Sequence, residues 1–151
     1  MKVIRILAIV LVSMGMAMFL ACSEEKTASL EGNEDIVAVL KKIPECMNNV
    51  EIAMEIYTND AILMYQAPSS GKMVKIIGPK EIGVYRSEVG KNVSAARVSI
   101  NNVVRVADTA HVKFTMTTQT SQGLEVDENC SAEMVKEGKA WRIKKETDEF
   151  S

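Results

Sequence analysis

The chain has a single histidine, His111, and three cysteines in 151 residues, and these shortages exclude much of metal and nucleophile chemistry. One His with no clustered Cys or Asp gives no motif of three or four neighbouring metal ligands. No Gly-rich stretch has the form of a P-loop or a dinucleotide fingerprint, and no Ser is flanked as in a nucleophile elbow. No metal and no cofactor is therefore expected. Positive charge is also short: 18 Lys and Arg stand against 20 Asp and Glu, for a net charge of −2. Phosphate contacts need the opposite surplus, so nucleic acid is excluded as a partner. There is no internal repeat and no low-complexity tract.

The one long apolar run lies at the N-terminus. Lys2 and Arg5 precede residues 6–21, which carry no charge, and this basic-then-apolar order is that of a secretory signal. The run closes on Leu20-Ala21-Cys22-Ser23, which resembles a bacterial lipobox, with Phe19 departing from the usual Leu. The resemblance implies cleavage before Cys22 and an acyl anchor, such as palmitate, on that residue. Ser23 beside it resembles outer-membrane sorting in enterobacterial lipoproteins. A run of this length also approaches the roughly 18 residues that cross a bilayer, so an uncleaved anchor is an alternative, as is a freely secreted form. Residues 1–21 are thus read as signal, 22–33 as lipidated Cys22 plus polar tether, and 34–151 as the domain. The expected location is the periplasmic side of the cell envelope, on the outer membrane.

Removing residues 1–21 leaves about 130 residues, enough for one core, with a net charge of about −4. In an oxidising compartment Cys46 and Cys130 are disulfide candidates, and two separately buried thiols are the alternative.

Along the domain, Ile36, Val37, Leu40 and Ile43 recur at helical spacing after the capping residue Asn33, and Pro44 ends or kinks this helix. A second helix places Val50, Ala53, Met54 and Tyr57 on one stripe and stops at Asn59-Asp60. Residues 61–65 and 73–77 read as strands around a turn at residues 66–71. Gly78-Pro79 opens a third helix over residues 80–89, with Gly90 closing it. Two strands follow, over 93–106 and 109–122. The first presents Val98, Ile100, Val104 and Val106 on one face, the second Ala110, Val112, Phe114, Met116 and Thr118. Strands over 125–136 and 140–144 close the chain through a hairpin at Glu137-Gly138-Lys139.

Helices first and then long consecutive strands make an α+β domain with a curved, mainly antiparallel sheet. Residues 34–148 resemble the NTF2-like superfamily, in particular its SnoaL-like and DUF4440-like branches. The resemblance rests on Tyr57-Thr58-Asn59-Asp60-Ala61 at the end of an amphipathic helix, on Gly78-Pro79-Lys80-Glu81-Ile82, and on the closing hairpin with Gly138 and Trp141. It implies a cone-shaped half-barrel in which three helices pack on the sheet and a pocket opens at one end.

The superfamily includes isomerases, dehydratases, cyclases and members without catalysis, so the fold leaves activity open. An enzyme would need an acid or base inside the cone. Asp60 and His111 are the candidates. Asp60 matches the family's helix-to-strand step, near which some relatives use an acidic residue chemically, and a turn or cap role through its side-chain oxygen is its cheapest explanation. His111 shares a strand face with Lys113, Thr115, Thr117 and Gln119, which puts it outside if the apolar face meets the helices. The six methionines of the domain, Met47, Met54, Met64, Met73, Met116 and Met134, read as core filler. Tyr57, Met64, Tyr85, Phe114, Met116 and Trp141 are the expected lining of a ligand pocket, with core packing the competing account for Trp141.

The expected function is accordingly binding: of a small apolar ligand in the cone, or of a protein partner across the sheet, where the superfamily also forms homodimers. A SnoaL-like isomerase or cyclase acting on a small hydrophobic substrate is the alternative.

Overall fold

A computed structural model describes residues 30–150. Cys22, the signal and most of the tether lie outside the described residues. Strand β4, Thr109–Thr120, shows the plainest link from sequence to fold. Side chains of a strand alternate between its faces, and Ala110, Val112, Phe114, Met116 and Thr118 are all buried while Thr109, His111 and Lys113 are exposed. β4 pairs antiparallel with β3, Val93–Val106, and with β5, Glu125–Glu137. β5 in turn pairs antiparallel with β6, Ala140–Phe150. The remaining strands are β1, Tyr57–Gln66, and β2, Met73–Ile77. The sheet order is β2-β1-β6-β5-β4-β3, and β1 with β6 is its parallel pair.

Among the described residues four helical segments supply the other layer: α1, Glu34–Leu40; a 3-10 helix, Ile43–Met47; α2, Glu51–Ile56; and α3, Pro79–Gly90. Asn33 takes the N-cap position of α1 as expected. Pro44 sits in the first turn of the 3-10 helix, where a missing N–H costs nothing, so the first apolar stripe is split over two short helices. Ile36, Leu40, Ile43, Ile56 and Ile82 pack with Leu63, Phe114, Met116, Met134 and Ile143 in one core.

The second helix ends earlier than its stripe suggests. Tyr57 is already extended, with ψ of 150°, and pairs with Ile143 as the first residue of β1, so Asn59 and Asp60 lie in a strand irregularity and do not end a helix. Met54 falls on the exposed side. β3 also departs from simple alternation: the register slips between Ile100 and Asn102, which brings Val103 inward opposite Val112 and leaves Val104 and Val106 exposed. β6 is longer than its apolar part, running on through Lys145 to Phe150. Of the six methionines, Met47, Met116 and Met134 are core, whereas Met54 and Met73 are exposed. Cys46 and Cys130 are buried free thiols, so the second of the two arrangements left open for them holds.

Gly90 belongs to α3 and does not act as a left-handed cap. A Cβ there would lie 2.5 Å from the Met47 carbonyl oxygen and 2.7 Å from its Cβ, so the glycine is what lets α3 approach the 3-10 helix. Gly90→Ala is expected to destabilise the domain by about 1–3 kcal/mol, because backbone on the far side cannot yield. Urea unfolding of the variant checks this; an unchanged midpoint would mean that the two helices separate without penalty.

Candidate functional site

Helix α3 places Ile82 and Arg86 four residues apart, on one face, and that face meets the sheet. Ile82 joins the core. Arg86, only 2% exposed, reaches β6 instead: Nη2 donates to Glu146 Oε1 at 2.8 Å and to Asp148 Oδ2 at 2.9 Å, and Nη1 lies 3.6 Å from Met116 Sδ. Glu146 and Asp148 stand two apart on a strand and so share a face. They reach the inner face through a slip in the β5–β6 register, where Met134 pairs with Ile143 but Glu133 pairs with Lys145. Lys144 is the extra residue, and it switches the parity of the strand after Ile143. The Tyr57 hydroxyl, fully buried, donates to Glu146 Oε2 and completes the chain of contacts.

Sheet register brings further groups to this cluster. Cys130 pairs with Asp148 across β5–β6, and Glu128, two residues before it, shares its face. One carboxylate oxygen from each of Glu128 and Asp148 and the Cys130 sulfur all lie within 4.8 Å of one another. Tyr65 pairs with Asp148 on the β1 side and stacks on Tyr85 of α3, with ring centroids 4.3 Å apart. Glu128, Tyr65 and Tyr85 are half-buried, so this is the side from which the cluster is approached.

The electrostatics are dominated by an excess of acid. One guanidinium faces Glu146 and Asp148, both buried, with Glu128 at the margin. Burial pushes Glu146 up to about 7 against the pull of Arg86, with the neighbouring Asp148 adding to the rise. Burial raises Asp148 and Glu128 as well, again opposed by Arg86. The same loss of water raises the thiol of Cys130 and the phenol of Tyr57. Among the described residues two buried side-chain polar atoms have no hydrogen-bond partner, Arg86 Nε and Asp148 Oδ1. Asp148 feels the weak S–H of Cys130, but no donor meets Oδ1 at hydrogen-bond geometry.

The expected pocket residues do not share one place. Tyr57, Phe114 and Met116 line the filled interior, Tyr57 and Met116 touching the charged cluster directly. Tyr85 stands at its half-buried margin. Met64 points to the other face, paired with Thr147 and Lys75, because the inward residues of β1 are Ala61 and Leu63. Trp141 is core, as its competing account had it: its indole N–H donates to Asp35 Oδ2 at 2.8 Å and Arg105 lies 5.0 Å over its ring.

The two catalytic candidates fall outside the cone. Asp60 is exposed, and the Thr58 hydroxyl donates to its Oδ1 at 2.8 Å, a local contact that lowers its pKa. His111 is exposed on the outer face opposite Glu133, beside a hollow of about 230 Å³ that also includes Lys113 and Lys145. That outer face carries His111, Lys113, Thr115, Asn129, Ser131 and Thr147, with Val104 and Val106 exposed beside them on β3. Of the residues that do cluster, Cys130 was singled out from sequence only as a disulfide candidate, and Arg86, Glu146, Asp148 and Glu128 were not singled out at all. The available signal was a lone Arg in the apolar stripe of a helix and an acidic pair at the end of a long strand.

Comparison with known proteins agrees with this architecture. No family model and no curated protein matches the chain by sequence. Solved structures do match by shape. An NTF-2 like protein of unknown function from Silicibacter pomeroyi superposes with a TM-score of 0.64 at 11% identity, covering 79% of this chain and 95% of its own. One from Shewanella oneidensis, also of unknown function, gives a TM-score of 0.62 at 17% identity, covering 78% and 98%. A protein with a ketosteroid isomerase-like fold from Catenulispora acidiphila, solved in complex with trimethylamine, gives 0.59 at 13% identity, covering 78% and 85%. At these identities the likeness is one of fold: the domain is an NTF2-like α+β cone.

Proposed function

We propose that this chain is a lipid-anchored envelope protein, tethered through Cys22, whose NTF2-like domain is a non-catalytic binding domain for a small, positively charged ligand. The observation that carries the binding reading is the buried Asp148 Oδ1 without a hydrogen-bond partner, in a cluster where Arg86 alone faces Glu146, Asp148 and Glu128. A buried carboxylate oxygen left unpaired costs free energy, and a cation or strong donor arriving past Glu128 and the Tyr65–Tyr85 stack would satisfy it. This revises the apolar ligand expected from sequence, because the groups that converge are acidic. Trimethylamine, the ligand of the Catenulispora protein, is the kind of small cation such chemistry accommodates. The anchor reading rests on Leu20-Ala21-Cys22 after an uncharged run.

Enzyme activity is the second reading, favoured by one observation: Glu146, held near neutrality, is hydrogen-bonded to the Tyr57 phenol. Both groups are sealed from solvent, so a substrate has no path to the atoms that would exchange a proton.

Native mass spectrometry of the full chain, purified from membranes in detergent, tests both parts of the proposal. The expected result is an acylated N-terminal Cys22 and a cationic species that leaves on unfolding. A chain that retains Met1, or one with an unmodified Cys22, would remove the anchor; a folded chain carrying nothing would remove the binding site.

A further inference from the structure

The groups converging at the end of the cone are more specific than a generic acidic site. We infer that Glu128, Cys130 and Asp148 form a binding site for a thiophilic divalent metal ion of the zinc type. This rests on the binding reading above and names its ligand.

The geometry supplies the donors without rearranging the backbone. Glu128 and Cys130 stand at positions i and i+2 of β5 and project from one face, and Asp148 is the direct cross-strand partner of Cys130. Their ligand atoms lie within 4.8 Å of one another. Donors around a tetrahedral zinc, each at about 2.0–2.3 Å, stand under about 4 Å apart, so small side-chain rotations close the set. One thiolate, two carboxylates and a water entering past the half-buried Glu128 give the fourfold set of an open site.

The second observation is the free oxygen. Asp148 is 5% exposed; its Oδ2 is taken by Arg86, its Oδ1 meets no donor at hydrogen-bond geometry, and the one further donor the carboxylate feels is the weak S–H of Cys130, the group that would give up its proton to the metal. A carboxylate held through one oxygen by a neighbouring group, with the other left for the ion, is how outer contacts orient a metal ligand. Arg86 is that contact here.

Charge points the same way. With Cys130 as thiolate, Glu128, Asp148 and the adjoining Glu146 bring four negative charges to the cluster, and a divalent ion plus Arg86 offsets three of them where Arg86 alone offsets one. On binding, the S–H bond of Cys130 breaks, its electron pair goes to the metal and one proton leaves to solvent. No oxidant or reductant is involved. An organic cation could meet the carboxylates, but it would make no use of the sulfur between them.

The test is titration of the full, detergent-solubilised chain with Zn²⁺ alone against a chromophoric chelator, and with Co²⁺ alone while the sulfur-to-cobalt charge-transfer absorption is followed. One ion per chain is expected. Cys130→Ser should abolish the charge-transfer band, whereas Cys46→Ser should keep it. Glu128→Gln, which leaves the Arg86 bridges intact, should fold normally and bind Zn²⁺ on the order of tenfold or more weakly. A band that survives in Cys130→Ser, or Zn²⁺ uptake unchanged by Glu128→Gln, overturns the inference. If Zn²⁺ is not taken up while an organic cation travels with the chain in native mass spectrometry, the metal inference falls and the binding reading stands. If neither is found, both fall.

Discussion

Arg86→Met is expected to destabilise the domain by about 3–5 kcal/mol, read as a fall in the urea midpoint at unchanged slope. The magnitude comes from what the substitution leaves behind. Methionine fills most of the space and keeps contact with Met116, but Glu146 and Asp148 remain buried without the cation that Nη2 now provides to both. Such carboxylates must take up protons or draw water into the core. The triple variant Arg86→Met, Glu146→Gln, Asp148→Asn should be more stable than the single one, because removing all the charges together costs less than orphaning some of them. A single-variant loss under about 1 kcal/mol would show that the cluster is not held as ions.

Phe114→Ala should cost a comparable 3–5 kcal/mol for a different reason. Phe114 is 1% exposed on β4, with Ile100 and Cys130 as its cross-strand neighbours. Strands on both sides are fixed by the ladder, so the space cannot collapse, and both the transfer term and the cavity term apply. Phe150→Ala, at the exposed end of β6, is the internal comparison and should change the midpoint by no more than about 0.5 kcal/mol. Equal losses at the two positions would mean that the inner face of β4 is not the packed centre of the domain.

The same contrast explains what could be read from sequence. β4 was legible because one of its faces is apolar and the other polar, so the period of two has a single solution. The stretch Ala61-Ile62-Leu63-Met64-Tyr65 of β1 is apolar on both faces. Its pattern could not say that Leu63 turns inward and Met64 outward, and Met64 was misplaced in consequence. Val104 and Val106 were put on one face with Val98 and Ile100 because a bulge at Asn101 leaves no trace in an alternation of valines. The site was hidden by the same kind of event. Extending the alternation of Trp141 and Ile143 across Lys144 puts Lys145 and Thr147 inside; the slip puts Glu146 and Asp148 there. Register shifts are set by the partner strand and the twist of the sheet, which no local window contains. Arg86 went unnoticed because a single arginine on a helix ordinarily lies in water, and only its two carboxylate partners 60 and 62 residues later make its burial tolerable. The fold class was legible because it depends on the order of elements, which survives errors of register.

The place of β6 has a consequence for how the chain reaches this fold. The strand that comes last in sequence lies in the interior of the sheet, between β1 and β5. Before β1 joins it, β6 can extend the meander of β3, β4 and β5 through short loops, while β1 and β2 form a hairpin with no sheet to join. Pairing β1 with β6 closes a loop from Tyr57 to Ile143, spanning most of the domain, and the entropy of that closure is met only when the contacts along this pair form together. Folding should therefore be slow for a domain of this size and concerted at its final step. Tyr57 meets Glu146 only at that step, so the chain of contacts around Arg86 is completed by the same event that joins the two halves of the sheet.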